Sequence, residues 1–175
     1  MTDRETIGAR YSAQQPLGIN HAVGAVVFLR IVSSLAWLDS AFVGKDAKLT
    51  AAFLSGTRFA DFVHTAVTPT VVNLLQNIVL PHAKIFALLI ASADLAIGLS
   101  LSLGLFTRLG GTLAIVRAIT NILVAGGAGA DTIGFNAMLI VAGAICITTG
   151  AGRSYGIDRF LLARWPSVAW LRFIA

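Results

Sequence analysis

The chain has 175 residues, 57% of them hydrophobic and 12% charged, with a mean hydropathy of +0.83. The charged share is about half that of an ordinary soluble domain, which excludes a water-soluble globular protein and points to a membrane class. The formal charge of +5 is spread over basic residues that mostly flank apolar runs, a pattern of membrane topology and anionic headgroups rather than of nucleic-acid binding.

The predicted elements follow in chain order. Residues 1–20 are polar and read as a cytoplasmic tail. No cleavable signal peptide is expected, because the apolar run that follows the tail is too long and is interrupted by Arg30. The first span, about 21–44, carries that arginine roughly 15 Å in at helical rise, too deep for simple snorkelling. Residues 45–81 form an insertion in which Phe53, Leu54, Phe59, Phe62 and Val63 recur near helical spacing, with Lys48, Arg58, Asp61 and His64 between them. Short amphipathic helices lying on the membrane or capping the bundle fit that pattern, with breaks at Pro69 and Pro81.

The second span, about 83–105, places Ala87, Ala91, Asp94 and Gly98 on one face, a small-residue seam with a carboxylate in it. The third span, about 109–126, contains Arg117, and the fourth, about 133–149, contains Asn136 and Cys146. Cys146 is the single cysteine, so the chain forms no intramolecular disulfide and no two-thiol relay. Residues 150–175 alternate Arg with Trp, Phe and Leu, as in a helix lying at headgroup level. The fold class is therefore an all-α membrane protein: a four-transmembrane-helix bundle with an amphipathic extracytoplasmic insertion and a C-terminal interfacial helix.

Cation counting orients it. The tail, the turn between the second and third spans, and the C-terminal segment hold seven arginines: Arg4, Arg10, Arg108, Arg153, Arg159, Arg164 and Arg172. The opposite side holds four cations, Lys45, Lys48, Arg58 and Lys84. Both termini are expected in the cytoplasm of a cell with the protein in its inner (plasma) membrane, and the insertion outside.

An ionised side chain inside a bilayer needs a partner. Arg30, Asp94 and Arg117 are accordingly expected to form one buried ion network, either fixing helix pairing or offering a guanidinium to an anion or a quinone carbonyl. Lys45, Arg58, His64 and Lys84 form a second expected cluster, an outer-face site for an oxyanion. His64 and His82 have no third ligand at useful spacing, so neither metal nor haem is expected. No nucleotide-binding or hydrolase motif is present, and no catalytic residue is assigned.

Several stretches resemble the DoxX/DoxD family of small four-helix membrane proteins. They are Phe28-Leu29-Arg30, Gly44-Lys45, Phe53-Leu54-Ser55-Gly56 with Phe59-Ala60-Asp61-Phe62, Ala93–Gly98 with Leu103–Arg108, and Gly150–Asp158, within roughly residues 25–160. The second-span acid, often Glu in that family, is Asp94 here, which keeps the charge and shortens its reach. The resemblance implies Arg30, Lys45, Asp94 and Arg108 as family-like positions. It also implies a membrane subunit of a thiosulfate:quinone oxidoreductase, which oxidises thiosulfate to tetrathionate, passes electrons to quinone and works with a second small subunit. Membrane lipids and other protein subunits are then the expected partners, with quinone the expected cofactor. The alternative is a non-catalytic accessory subunit of a larger respiratory or photosynthetic complex.

Overall fold

The computed structural model describes residues 18–43, 47–165, 168 and 174. Residues 1–17 of the expected tail, Lys45 and most of the chain beyond Trp165 lie outside the described residues, and 18–20 begin the first helix. Every element among the described residues is helical: α1 (Gly18–Phe42), α2 (Ala51–Leu54), α3 (Thr57–Thr65), α4 (Pro69–Leu74), α5 (Ala83–Leu103), α6 (Thr107–Ala125), α7 (Ala130–Thr149), α8 (Ala151–Ser154) and α9 (Ile157–Arg164). Four helical runs are long and apolar enough to cross a membrane: Val23–Phe42, Pro69–Leu103, Thr107–Ala128 and Ala130–Thr149.

Side-chain size is sorted in the sense that lipid demands. Large apolar side chains point outward, among them Phe28, Leu35, Leu89, Val116, Met138 and Val141. The interior is built from small residues, including Ala41, Ala87, Ala91, Ala114, Ala118, Ala142 and Cys146. It also holds the polar side chains Arg30, Ser34, Asp94, Thr107, Asn136 and Asp158. Hydrocarbon around the bundle removes the incentive to hide leucines, and close packing of small residues holds the helices together instead. The chain is a multi-pass membrane protein.

α6 and α7 pack backbone against backbone. A Cβ built on Gly143 would lie 2.9 Å from the Gly111 carbonyl oxygen, and one on Gly111 would lie 2.9 Å from that of Gly143. Backbone cannot step aside as a side chain does. Gly143→Leu is therefore expected to cost about 1–3 kcal/mol through forced separation of the pair, read as a lower melting temperature in detergent.

Pro81 does not end a surface insertion, as its sequence position suggests. Residues 69–103 form one 35-residue helical run, and the missing proline amide is absorbed within it. A π turn at Leu75–Val79 is followed by a 3-10 turn at Leu80–His82, with His82 itself at φ −122°, ψ 30°. The Ile78 carbonyl lies 3.1 Å from the His82 ring Nδ1. Around this bend Phe53, Phe59, Leu75, Val79, Ala83 and Ala87 form a compact apolar cluster, with Phe53 and Phe59 edge to face at 5.3 Å. The insertion thus caps one end of the bundle.

Candidate functional site: an ion pair beside two chambers

α1 and α5 run antiparallel, and two contacts fix their register. Gly98 faces Leu38, whose side chain would meet a Cβ there at 2.7 Å, and Ser40 Oγ donates to Asp94 Oδ2 at 2.9 Å. Asp94 is fully buried on the small face of α5 with Ala87, Ala91 and Gly98. From α6, Arg117 Nε donates to Asp94 Oδ1 at 2.9 Å, and Nη2 reaches Oδ2 at 3.5 Å. One turn along α6, Asn121 Oδ1 accepts from Arg117 Nη1. Both carboxylate oxygens are therefore engaged, and the planar guanidinium spends its donors on two partners fixed in the helices.

The same register moves Arg30 out of this network. Its guanidinium rests against Gly104, the residue that follows α5, ten positions beyond Asp94 and about 15 Å along the axis. There Arg30 Nη2 donates to the Tyr155 carbonyl at 2.9 Å. The expected three-residue cluster is two sites, one within the bundle and one at its end. Depth counted from His21 misplaces Arg30, because α1 is offset along the axis relative to α5.

That second site is built around Asp158, which is fully buried although it comes from the segment expected merely to lie at the interface. Its Oδ1 accepts from Phe106 N at 2.6 Å, and its Oδ2 accepts from Thr107 N at 3.0 Å and Thr107 Oγ1 at 2.8 Å. A carboxylate from 51 residues away thus caps the first turn of α6. It also holds Phe106 at φ 51°, a left-handed conformation unusual for a side chain of that size. Tyr155, Phe160 and Trp165 are exposed, so one face of the segment still suits the headgroup region.

Beside Asp94–Arg117 lie two adjoining chambers. The first, about 230 Å³, is walled by apolar and aromatic side chains including Phe53, Phe59, Phe86 and Ile90, with Lys48, Arg117 and Asn121 converging on it. The second, about 400 Å³, is more polar and is lined by Lys48, Arg58, Asp61, Thr65, Asn121 and Asn136. Lys48, Phe53, Phe62 and Asn121 belong to both. Such apolar enclosures with a few convergent polar groups are the usual form of a small-molecule site.

Of the four outer-face residues expected to share an anion, one lines a chamber. Arg58 lines the polar chamber and pairs with Asp61 at 3.5 Å. His64 and Lys84 are exposed on the surface, and Lys45 lies outside the described residues. Lys48, read from the sequence as one of the outer-face cations, lines both chambers. Its amide donates to the Ser40 carbonyl at 3.1 Å, and its Nζ sits 4.6 Å above the Phe53 ring. Burial, aided by the nearby Arg117 charge and opposed by Asp94, holds its ammonium down to about 8. Lysine within a mixed amphipathic stretch gives no sequence signal of burial; Asn121, one helical turn past Arg117, does give one. Among the described residues no three His, Cys, Asp or Glu side chains come together as a metal site.

Comparison with curated proteins and comparison with solved structures both return no match. A family model described as "TQO small subunit DoxD" matches residues 25–175, and with its charged second span, its Leu103–Arg108 turn and its Asp158 clasp the chain belongs to the DoxD family.

Proposed function

We propose that the protein is the membrane subunit of a thiosulfate:quinone oxidoreductase of the plasma membrane, and that the apolar chamber receives the quinone head group. The observation that carries this reading is that Arg117, ion-paired to the buried Asp94, stands in the wall of an aromatic cavity. With its Oδ1 engaged by Arg117, Asn121 keeps its amide NH₂ to donate to a quinone carbonyl. Phe53, Phe59 and Phe86 supply ring faces for a flat conjugated ring. In this orientation both termini are cytoplasmic, and sulfur anions approach from the extracytoplasmic insertion.

The chemistry balances as a two-electron exchange. Two thiosulfate ions joined by a new S–S bond release two electrons, and a quinone that takes them with two protons becomes the quinol. Cys146 is a single thiol in α7 and forms no dithiol relay. The family description, a small subunit, fits a protein that works with a partner chain.

The test is thiosulfate-dependent reduction of a soluble quinone by the detergent-solubilised complex. Ile90→Trp fills the apolar chamber without touching a charge. The expected result is a raised KM for quinone with thiosulfate binding retained; unchanged quinone kinetics would remove the quinone from this chamber.

A further inference from the structure

One carboxylate of α1 is turned away from the bundle at the depth of its centre. The buried positions of the helix, Arg30, Ser34, Trp37 and Ala41, follow one face, toward its neighbours. Asp39 is exposed and, at about 100° per residue, stands roughly 160° round the helix from both Trp37 and Ala41. Its depth is fixed by the next residue: Ser40 donates to Asp94, which sets Asp39 level with the Asp94–Arg117 pair. On α5 the exposed apolar side chains Ile85 and Leu103 each lie nine residues from Asp94, about 13 Å to either side along the axis. They span most of a hydrocarbon core about 30 Å thick, with Asp39 near its middle. A carboxylate there is costly against acyl chains and calls for a cation at the same depth. Neither described ion pair, Arg58–Asp61 or Arg117–Asp94, includes it. Lys84, ten residues before Asp94, stands about 15 Å further out.

The residues that share this face are apolar and exposed: Phe28, Val32, Leu35 and Phe42. With Asp39 they recur at intervals of four, three, four and three, the spacing of a seam along which another helix packs. A single polar residue in such a seam selects register and partner. We infer that this face of α1 docks a membrane-spanning helix of a different chain, one that carries a lysine or arginine near mid-bilayer to pair with Asp39. A second copy fits poorly. Copies share one orientation in the membrane, so a two-fold pair along this seam would set Asp39 against Asp39. The seam lies across α1 from the bundle interior, so docking there needs neither the quinone nor the sulfur anion of the function proposed above.

The experiment places the full-length protein, donor-labelled at its N-terminus, in phosphatidylcholine vesicles with acceptor-labelled synthetic leucine–alanine peptides long enough to span. Three peptides differ only in their central residue, which is lysine, leucine or aspartate. Energy transfer should report the central-lysine peptide bound about three- to thirtyfold tighter than the central-leucine one, the range of one interhelical polar contact in lipid. Asp39→Leu should erase that preference, and Asp39→Lys should pass it to the central-aspartate peptide. Both variants should melt within about 2 °C of wild type, because the side chain points out of the bundle.

Equal binding of the three peptides by wild type, a lysine preference that survives Asp39→Leu, or a large fall in the melting temperature of Asp39→Leu would each overturn the inference. So would energy transfer between labelled wild-type copies that Asp39→Leu abolishes, since the face would then belong to a second copy. Thiosulfate-dependent quinone reduction is a separate measurement: its absence sinks the proposed function and leaves the docking result as it stands.

Discussion

Asp94→Ala and Arg117→Ala are each expected to lower unfolding stability by about 3–5 kcal/mol, because either change leaves a buried charge without its counter-ion. Asp94 is wholly inaccessible, and the Arg117 side chain retains only 12% of its surface, so solvent screening offers little relief. The double replacement Asp94→Leu/Arg117→Met removes both charges together. Stability should then return to within about 1–2 kcal/mol of wild type, since a pair exchanged for apolar groups of similar volume is often neutral. Quinone reduction should stay lost in all three variants. Thermal melts in detergent read the first quantity and quinone turnover the second. Recovery of turnover in the double variant would leave the pair a purely structural fastener and move the chemistry elsewhere.

This contrast is informative because an ion pair inside a helix bundle is poor evidence for stability taken alone. Desolvating two charges costs several kcal/mol, and the pair's attraction with its Ser40 and Asn121 hydrogen bonds only offsets that. What sets this pair apart is its setting. Its arginine faces a cavity with aromatic walls rather than a sealed core, so part of the Arg117 field is available to a guest.

How much of this was legible beforehand depends on what kind of distance an argument needs. Spans are local features, and the apolar runs near 21–44, 83–105, 109–126 and 133–149 correspond to α1, α5, α6 and α7 within a few residues. The Asp94–Arg117 contact follows from two facts carried by single segments, an intramembrane acid and an intramembrane base on the next helix. Arg30 needed a different quantity, the axial offset between α1 and α5. That offset is set by Gly98 against Leu38 and by Gly104 receiving the guanidinium, contacts between residues some 60 to 75 positions apart that no periodicity encodes. Lys48 was legible as an outer-face cation, but its place beside the chambers was not, for a related reason. Its burial arises because α2, α3 and the bend after Pro81 fold back over the bundle, whereas an amphipathic stretch read alone looks like a surface. Asp158 was visible only as part of a family-like stretch, Gly150–Asp158, with nothing local to say that it caps α6.

Asp158→Ala is expected to be as damaging as loss of the central pair, and through a different physical route. The change strands two backbone amides, Phe106 N and Thr107 N, and the Thr107 hydroxyl, all of them directed at one buried carboxylate. Each unsatisfied buried group costs about 1–3 kcal/mol, and the left-handed Phe106 loses the contact that holds it. A total of about 3–5 kcal/mol follows, since water entering the loosened turn recovers part of the loss. Gly152→Ala tests the same clasp sterically. Its Cβ would fall 2.1 Å from Thr107 Oγ1 and 2.2 Å from Asp158 Oδ2, and the Gly104 backbone at 2.9 Å blocks retreat. Both variants should lower the melting temperature in detergent and expose the turn between α5 and α6 to protease, while Phe160→Ala, on the exposed face of α9, should do neither. If Asp158→Ala melts like wild type, the C-terminal segment is a passive interfacial helix and Arg30 has no reason to reach it. If it melts early, the residues after Gly150 close the bundle from below. The Arg30–Tyr155 bond then belongs to that closure, ten residues of helix away from the chambers that the proposed chemistry uses.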